Sequence, residues 1–286
     1  PDVTVVAPVF FKSDLLGFVA NRAHHADIGA GSPGSMPISA TLYEEGTVIP
    51  PTLLVRDDRI VDAVHREIVA KTRNATESAG DFAAQIAANR AGVARIAELI
   101  AGGEGLPFIT GVDELNAYAE RLARRAVEAI PVGVYRFADV LDDDGQGNSA
   151  IPIVVTLHVE HERVTADFSG TAEQVVGNVN CPLAVAAAAV YYAFRCLMPP
   201  QTPACAGAFR PLQLRAPEGC LINAIKPAAV AAGNVETSTR IVDTVLGALA
   251  TAVPDLVPAA SHGSMNNVAM GSSLAGSSWD YYETIG

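Results

Sequence analysis

The chain has 286 residues, half of them hydrophobic, with a formal net charge of −12 and a pI near 4.9. That length and apolar content support a large core, in one domain or two, and exclude a disordered chain. The acidic balance speaks against a nucleic-acid partner and against an anionic membrane surface.

Asp2–Phe11 (DVTVVAPVFF) is rich in β-branched and aromatic residues and predicts a strand. Lys12, Ser13 and Asp14 form a polar turn, and Leu15–Ala23 predicts a second strand, so the two make a hairpin. With a three-residue loop centred on Ser13, Asp2 falls opposite His24. With a two-residue loop, His25 faces Asp2 instead. Opposed residues share a face of the sheet, so either count brings an imidazole to a carboxylate. The following stretch, Asn21–Pro37 (NRAHHADIGAGSPGSMP), adds Asp27 and a Gly/Ser/Pro-rich segment. Imidazole and carboxylate together suit a borderline divalent metal such as Zn, Fe or Mn. The same spacing also serves an Asp–His hydrogen bond without metal.

Thr41–Val55, with Pro50-Pro51, reads as an extended loop with a short strand. Ile60–Lys71 and Glu77–Ala101 have helical periodicity, and Gly102-Gly103 stops the second helix. Thr110–Asp113 resembles a capping box opening a helix Asp113–Ile130. The period then changes from 3.6 to two. Val134–Leu141 and Ile151–Glu160 predict a hairpin across Asp142–Ser149 (DDDGQGNS), whose carboxylates lack the spacing of a calcium loop. Arg163–Phe168 continues the strands, with His158 and His161 on an exposed side. The apolar run Leu183–Met198 holds Arg195 and is too short to span a bilayer, so it predicts a buried helix. Gly/Asn-rich loops precede it and precede a helix Thr239–Ala252. They suit anion binding at a helix start or plain turn chemistry. Ser261, His262 and Ser264 lack a GxSxG elbow, and no P-loop or dinucleotide motif occurs. The expected fold is α+β. Residues 1–130 form a metal-site hairpin plus a helical region, and residues 131–286 a β-rich region with buried helices.

Four scattered cysteines without a CxxC pair, and no signal or lipidation motif, point to a reducing cytoplasm. The chain opens at Pro1 directly into a strand pattern and closes after the apolar Trp279–Ile285. Domain ends are usually polar and frayed, so a piece of a longer polypeptide is expected.

Four segments in order, NRAHHADIGAGSPGSMP, ADFSGTAEQVVGNVNCP (Ala166–Pro182), PAAVAAGNVETSTRIVDTVLGAL (Pro227–Leu249) and SHGSMNN (Ser261–Asn267), resemble one family over essentially the whole chain. It is the B-type component of the hydantoinase/5-oxoprolinase family, to which the alpha subunits of acetone carboxylase are related. The resemblance implies a hetero-oligomeric, ATP-dependent enzyme. An A-type partner binds ATP and activates the substrate, and the B-type component completes ring opening of a cyclic amide at a metal. Hydantoin, N-methylhydantoin and 5-oxoproline are the implied substrates. A carboxylase component acting on a ketone and a non-catalytic component that braces its partner are the alternatives. The resemblance also implies the ligands: Asp2 matches the Asp of a His-x-x-Asp segment, His24 the second His, and Asp27 the carboxylate just after it. The remaining His falls two residues before Pro1, and a glycine-rich continuation is implied after Gly286. No residue matches a catalytic base.

Overall fold

The computed structural model describes residues 2–32, 34, 36–103, 105–272 and 279–285. Pro33 and Ser35 of the Gly/Ser/Pro-rich segment lie outside the described residues, as do the two chain ends. The chain divides into two compact units. One comprises Pro1–Pro37, Tyr43–Gly111 and Asn267–Ile285; the other comprises Ile38–Leu42 and Val112–Asn266.

In the first unit, β1 (Asp2–Phe11) and β2 (Asp14–His24) form the expected antiparallel hairpin. Exposure alternates along both strands, as period-two side chains on a one-sided sheet must. The turn differs from the three-residue loop. Phe11 pairs with Asp14, leaving only Lys12 and Ser13 in the turn, with Lys12 at φ +56°. A bulge between Val9 and Phe10 then shifts the register by one, because Val9 pairs with Gly17 and Phe10 with Leu15. Leu16 is the extra residue. The two departures cancel, and Asp2 pairs with His24.

The 41–60 stretch carries only the two-residue strands β3 (Val55–Arg56) and β4 (Arg59–Ile60). Then come α1 (Asp62–Val69) and the long α2 (Ala75–Gly103). The inner face of the hairpin packs on α2, and Gly92 permits close approach: a Cβ there would lie 2.7 Å from Val19 Cγ1. Ile28, Ile68, Val69 and Phe82 form this unit's apolar core, with the His65 ring edge-on to Phe82 at 6.0 Å.

The helix expected from Asp113 starts earlier, as α3 (Gly105–Glu128). Thr110–Asp113 lies inside it and is no capping box. Pro107 falls in its first turn, where a missing N–H costs no helical hydrogen bond. The second unit is built on a four-stranded sheet in the order β5 (Gly133–Asp143), β6 (Ser149–Val159), β7 (Val164–Asp167), β8 (Leu212–Arg215). The first two pairings are antiparallel and the last is parallel. α4 (Leu183–Leu197) lies between β7 and β8 in sequence, and α5 (Glu236–Ala252), three residues longer than expected, packs on β5 and β6. α4 is buried along one stripe, Ala186, Ala189, Val190, Ala193 and Phe194, rather than all round; Tyr192 and Cys196 face outward. The fold is therefore α+β, with α1 to α3 ending before Ile130 and a mainly antiparallel sheet with α4 and α5 after it. No helix among the described residues is long and apolar enough to cross a membrane. β9 (Asn266–Ser272) and β10 (Trp279–Ile285) pair as a further two-stranded sheet.

Two loops show why this sequence turns where it does. Asp144 is buried in the β5–β6 loop, where it accepts hydrogen bonds from the Asn148 side chain and from the backbone N–H groups of Gln146, Asn148 and Gly177. Asn180, also buried, accepts from Val175 N–H and donates to the carbonyls of Val175, Gly177 and Ala229. The Gly/Asn-rich segment before α4 is thus accounted for by turn chemistry.

Candidate metal centre

Cross-strand pairing places Asp2 and His24 on the outer face of the hairpin, about one-third exposed each. His24 Nδ1 lies 3.3 Å from Asp2 Oδ1, and its Nε2 lies 3.2 Å from the Gly34 carbonyl oxygen. The His24 hydrogen bond holds the Asp2 carboxyl below the usual carboxylate range, against the opposing effect of partial burial. Asp2 is therefore ionised at neutral pH. A carbonyl oxygen only accepts, so Nε2 carries hydrogen there. A neutral imidazole has one N–H, which leaves the Nδ1 lone pair toward an acceptor-only carboxylate. The arrangement suits a doubly protonated ring, or a neutral ring sharing a cation with Asp2. The backbone carbonyl behind Nε2 is the kind of outer partner that orients a metal-ligating histidine.

Asp27 is placed differently. It is buried, its Oδ1 accepts from Gly29 N–H at 2.8 Å, and its Oδ2 accepts from the Arg73 backbone N–H. The Arg73 guanidinium stands 3.4 Å from Oδ1 and donates to the Ala30 carbonyl at 2.7 Å. These bonds fix the loop after His24 with both carboxylate oxygens in use. Gly29, at φ +84°, completes that turn where a Cβ would meet the Lys71 carbonyl at 2.8 Å. Among the described residues no group of three or more His, Cys, Asp or Glu is arranged to hold a metal ion. Asp2 and His24 are thus two converging donors.

Beneath the pair runs a buried polar network. His25 is fully buried, against Phe82 at 4.9 Å between ring centroids, with Nε2 3.0 Å from Gln85 Oε1. Gln85 Nε2 donates to the Val3 carbonyl and to Asn21 Oδ1, and Asn89 donates to the Val5 carbonyl and accepts from Asn21. Gln85 and Asn89 were not foreseen. Their signal was available, as two amides four residues apart on the apolar stripe that carries Phe82 and Ile86. Elsewhere, the Ser261 hydroxyl donates to Asp243 at 2.8 Å, whereas His262 Nδ1 faces the Ser264 carbonyl, so these residues form no nucleophile–base pair.

The chain matches the Hydantoinase B/oxoprolinase model over residues 1–286, and it belongs to that family. It is 33% identical over 300 residues to a 5-oxoprolinase of Dictyostelium discoideum, covering all of this chain and 22% of that protein. It is likewise 33% identical over 300 residues to a Pseudomonas sp. (strain NS671) protein assigned as the B-type component of a D-/L-hydantoinase, covering all of this chain and 50% of that one. Its fold is that of the ATP-dependent caprolactamase from Pseudomonas jessenii, with a TM-score of 0.89 at 24% identity, covering 98% of this chain and 48% of that chain. The chain thus spans half or less of the length of each of these relatives.

Proposed function

We propose that the chain is the metal-bearing part of the hydrolytic, B-type component of an ATP-dependent cyclic-amide hydrolase acting on a hydantoin, an N-methylhydantoin or 5-oxoproline. The observation that carries this reading is the Asp2–His24 pair, with both ring nitrogens of His24 directed at acceptor oxygens. Family membership, and relatives named for 5-oxoproline and hydantoin, support the amide chemistry.

In this reading Asp2 and His24 hold a divalent ion of Zn, Mn or Fe, with further donors from outside the described residues. A divalent ion held there supplies Lewis acidity toward an amide carbonyl or a water molecule. The chain's own residues do the positioning. Gly34 keeps the hydrogen on His24 Nε2, so Nδ1 presents its lone pair. Asp2 stays ionised. Asp27, engaged by Arg73, sets the loop that carries Gly34 rather than acting as a ligand. An unstrained amide still needs activation, which the A-type partner supplies with ATP. The four free thiols agree with a reducing cytoplasm.

The test is ATP-coupled ring opening by the full-length protein with its A-type partner, on hydantoin, N-methylhydantoin and 5-oxoproline. Loss of an outer partner of a metal ligand typically costs 10–100-fold, so His24→Ala should lower kcat by about a hundredfold or more. Turnover unchanged in His24→Ala would contradict the proposal.

A further inference from the structure

Asp2 and His24 stand at the paired ends of β1 and β2, and the residue beside each is bonded to one side chain of α2. Gln85 Nε2 donates to the Val3 carbonyl at 2.9 Å and to Asn21 Oδ1 at 2.9 Å. Gln85 Oε1 faces His25 Nε2 at 3.0 Å. Val3 follows Asp2, and His25 follows His24. Neighbouring strand residues point to opposite faces, so a grip on the inner face governs where the outer side chains stand.

Gln85 and His25 are buried, so water does not compete for these bonds. One turn further along α2, Asn89 repeats the contact. Its Nδ2 donates to the Val5 carbonyl at 3.0 Å, and its Oδ1 accepts from Asn21 at 2.8 Å. Four residues of helix rise about 6.0 Å and two residues of antiparallel strand about 6.8 Å, so the two amides keep step with alternate carbonyls of β1. Their reach differs. Asn89 holds the Val5–Asn21 rung, three rungs from the Asp2–His24 pair, whereas Gln85 holds the residue next to each donor.

We infer that Gln85 is a positioning residue of the metal centre: its amide sets the spacing of the Asp2 carboxylate and the His24 imidazole for a shared divalent ion, without touching that ion. Functional side chains must be held within about 0.5 Å of their working positions by neighbours that are themselves locked. Chain ends fray unless tied down, and the Val3 carbonyl bond is such a tie at the start of β1. The His25 bond does the same just past the end of β2. The inference rests on the divalent-ion reading of Asp2 and His24, and adds the residue that organises the pair.

The test compares Gln85→Leu with Asn89→Leu in the full-length protein. Both remove a buried amide from the same face of α2, and both should lower the midpoint of urea denaturation. Calorimetric titration with Zn separates them. Outer partners of metal ligands are typically worth 10–100-fold, so Gln85→Leu should weaken Zn binding about tenfold or more, and Asn89→Leu less than about threefold. Hydrogen exchange on the metal-free protein is the second readout. The amides of Val3 and of Ala23–His25 should exchange faster in Gln85→Leu than in Asn89→Leu. Gln85→Met, which keeps the side-chain length, takes its place if Gln85→Leu does not fold. Zn affinity unchanged in the folded Gln85 variant, or weakened equally in both variants, overturns the inference and leaves the metal reading standing. Equal exchange at those amides in the two variants also overturns it. If the wild type binds no Zn, Mn or Fe(II), the metal reading falls, and the positioning role falls with it.

Discussion

His25 Nε2 donates to Gln85 Oε1 at 3.0 Å, and through that one amide both strands of the hairpin are tied to α2. Because Gln85 Nε2 donates to Val3 and Asn21, its oxygen faces the imidazole. Gln85→Leu would leave His25, Asn21 and the Val3 carbonyl without this partner in a buried site. Each such loss costs about 1–3 kcal/mol. Urea denaturation should show a loss within or above that range, and a change below about 0.5 kcal/mol, the scale of ordinary surface substitutions, would contradict the network's role.

Asp144 gives the fold an acid-sensitive point. Burial raises its carboxyl, but the bonds from Asn148, Gln146 and Gly177 lower it by more, so it lies below its ordinary value of 3.8. The folded state then favours the ionised form more than the unfolded chain does. That stability is present above the ordinary value and is lost as pH falls through the folded one. Asp144→Asn should cost about 1–3 kcal/mol at pH 7. The gap between variant and wild type in denaturation midpoints should shrink below pH 4. A gap that is constant from pH 7 to pH 3 would show that the carboxylate charge contributes nothing.

Two glycines in α2 should respond oppositely to alanine. A Cβ on Gly80 meets nothing within 4 Å, whereas one on Gly92 meets Val19 Cγ1 at 2.7 Å. Gly80→Ala should stabilise by about 0.5–1 kcal/mol through helix propensity. Gly92→Ala should destabilise by about 1–3 kcal/mol through overpacking of the hairpin. Thermal melts of the two variants decide it, and shifts of the same sign would refute this packing.

Thiol reactivity should follow burial. Burial, with neighbouring Cys220 adding to it, pushes the Cys181 thiol up to about 12, and burial also raises Cys220. Cys196 is exposed. The thiolate is the nucleophile, so iodoacetamide at pH 8 should label Cys196 in the native protein and Cys181 and Cys220 only after unfolding. Peptide mapping by mass spectrometry reads this directly, and native labelling of Cys181 would contradict the burial.

The sequence made the hairpin, the helical stretch and the antiparallel half legible because each has a clean period. Of its two loop counts, the three-residue one matches the observed Asp2–His24 pairing, and only through a compensation that no local pattern reveals, a shorter turn plus a bulge at Leu16. The start of α3 was missed because Gly105, Pro107 and Gly111 look like linker residues, while Thr110–Asp113 imitates a cap. The role of Asp27 depends on Arg73, forty-six positions away, and no local pattern announces such a partner. Gln85 and Asn89 were visible as polar intrusions on an apolar stripe but acquire meaning only when the hairpin lies against them.

The central claim is that Asp2 and His24 share a divalent ion, and metal titration of the full-length protein tests it most directly. Zn, Mn and Fe(II) should each be titrated by calorimetry into wild type, Asp2→Ala and His24→Ala, with folding checked by circular dichroism. Removing one of a few ligands should weaken binding at least as much as the 10–100-fold cost of losing an outer partner. The account predicts one tight site in the wild type and its loss in both folded variants. Equal metal affinity in wild type and variants, or no metal bound by the wild type, would make the Asp2–His24 contact a hydrogen-bonded pair only.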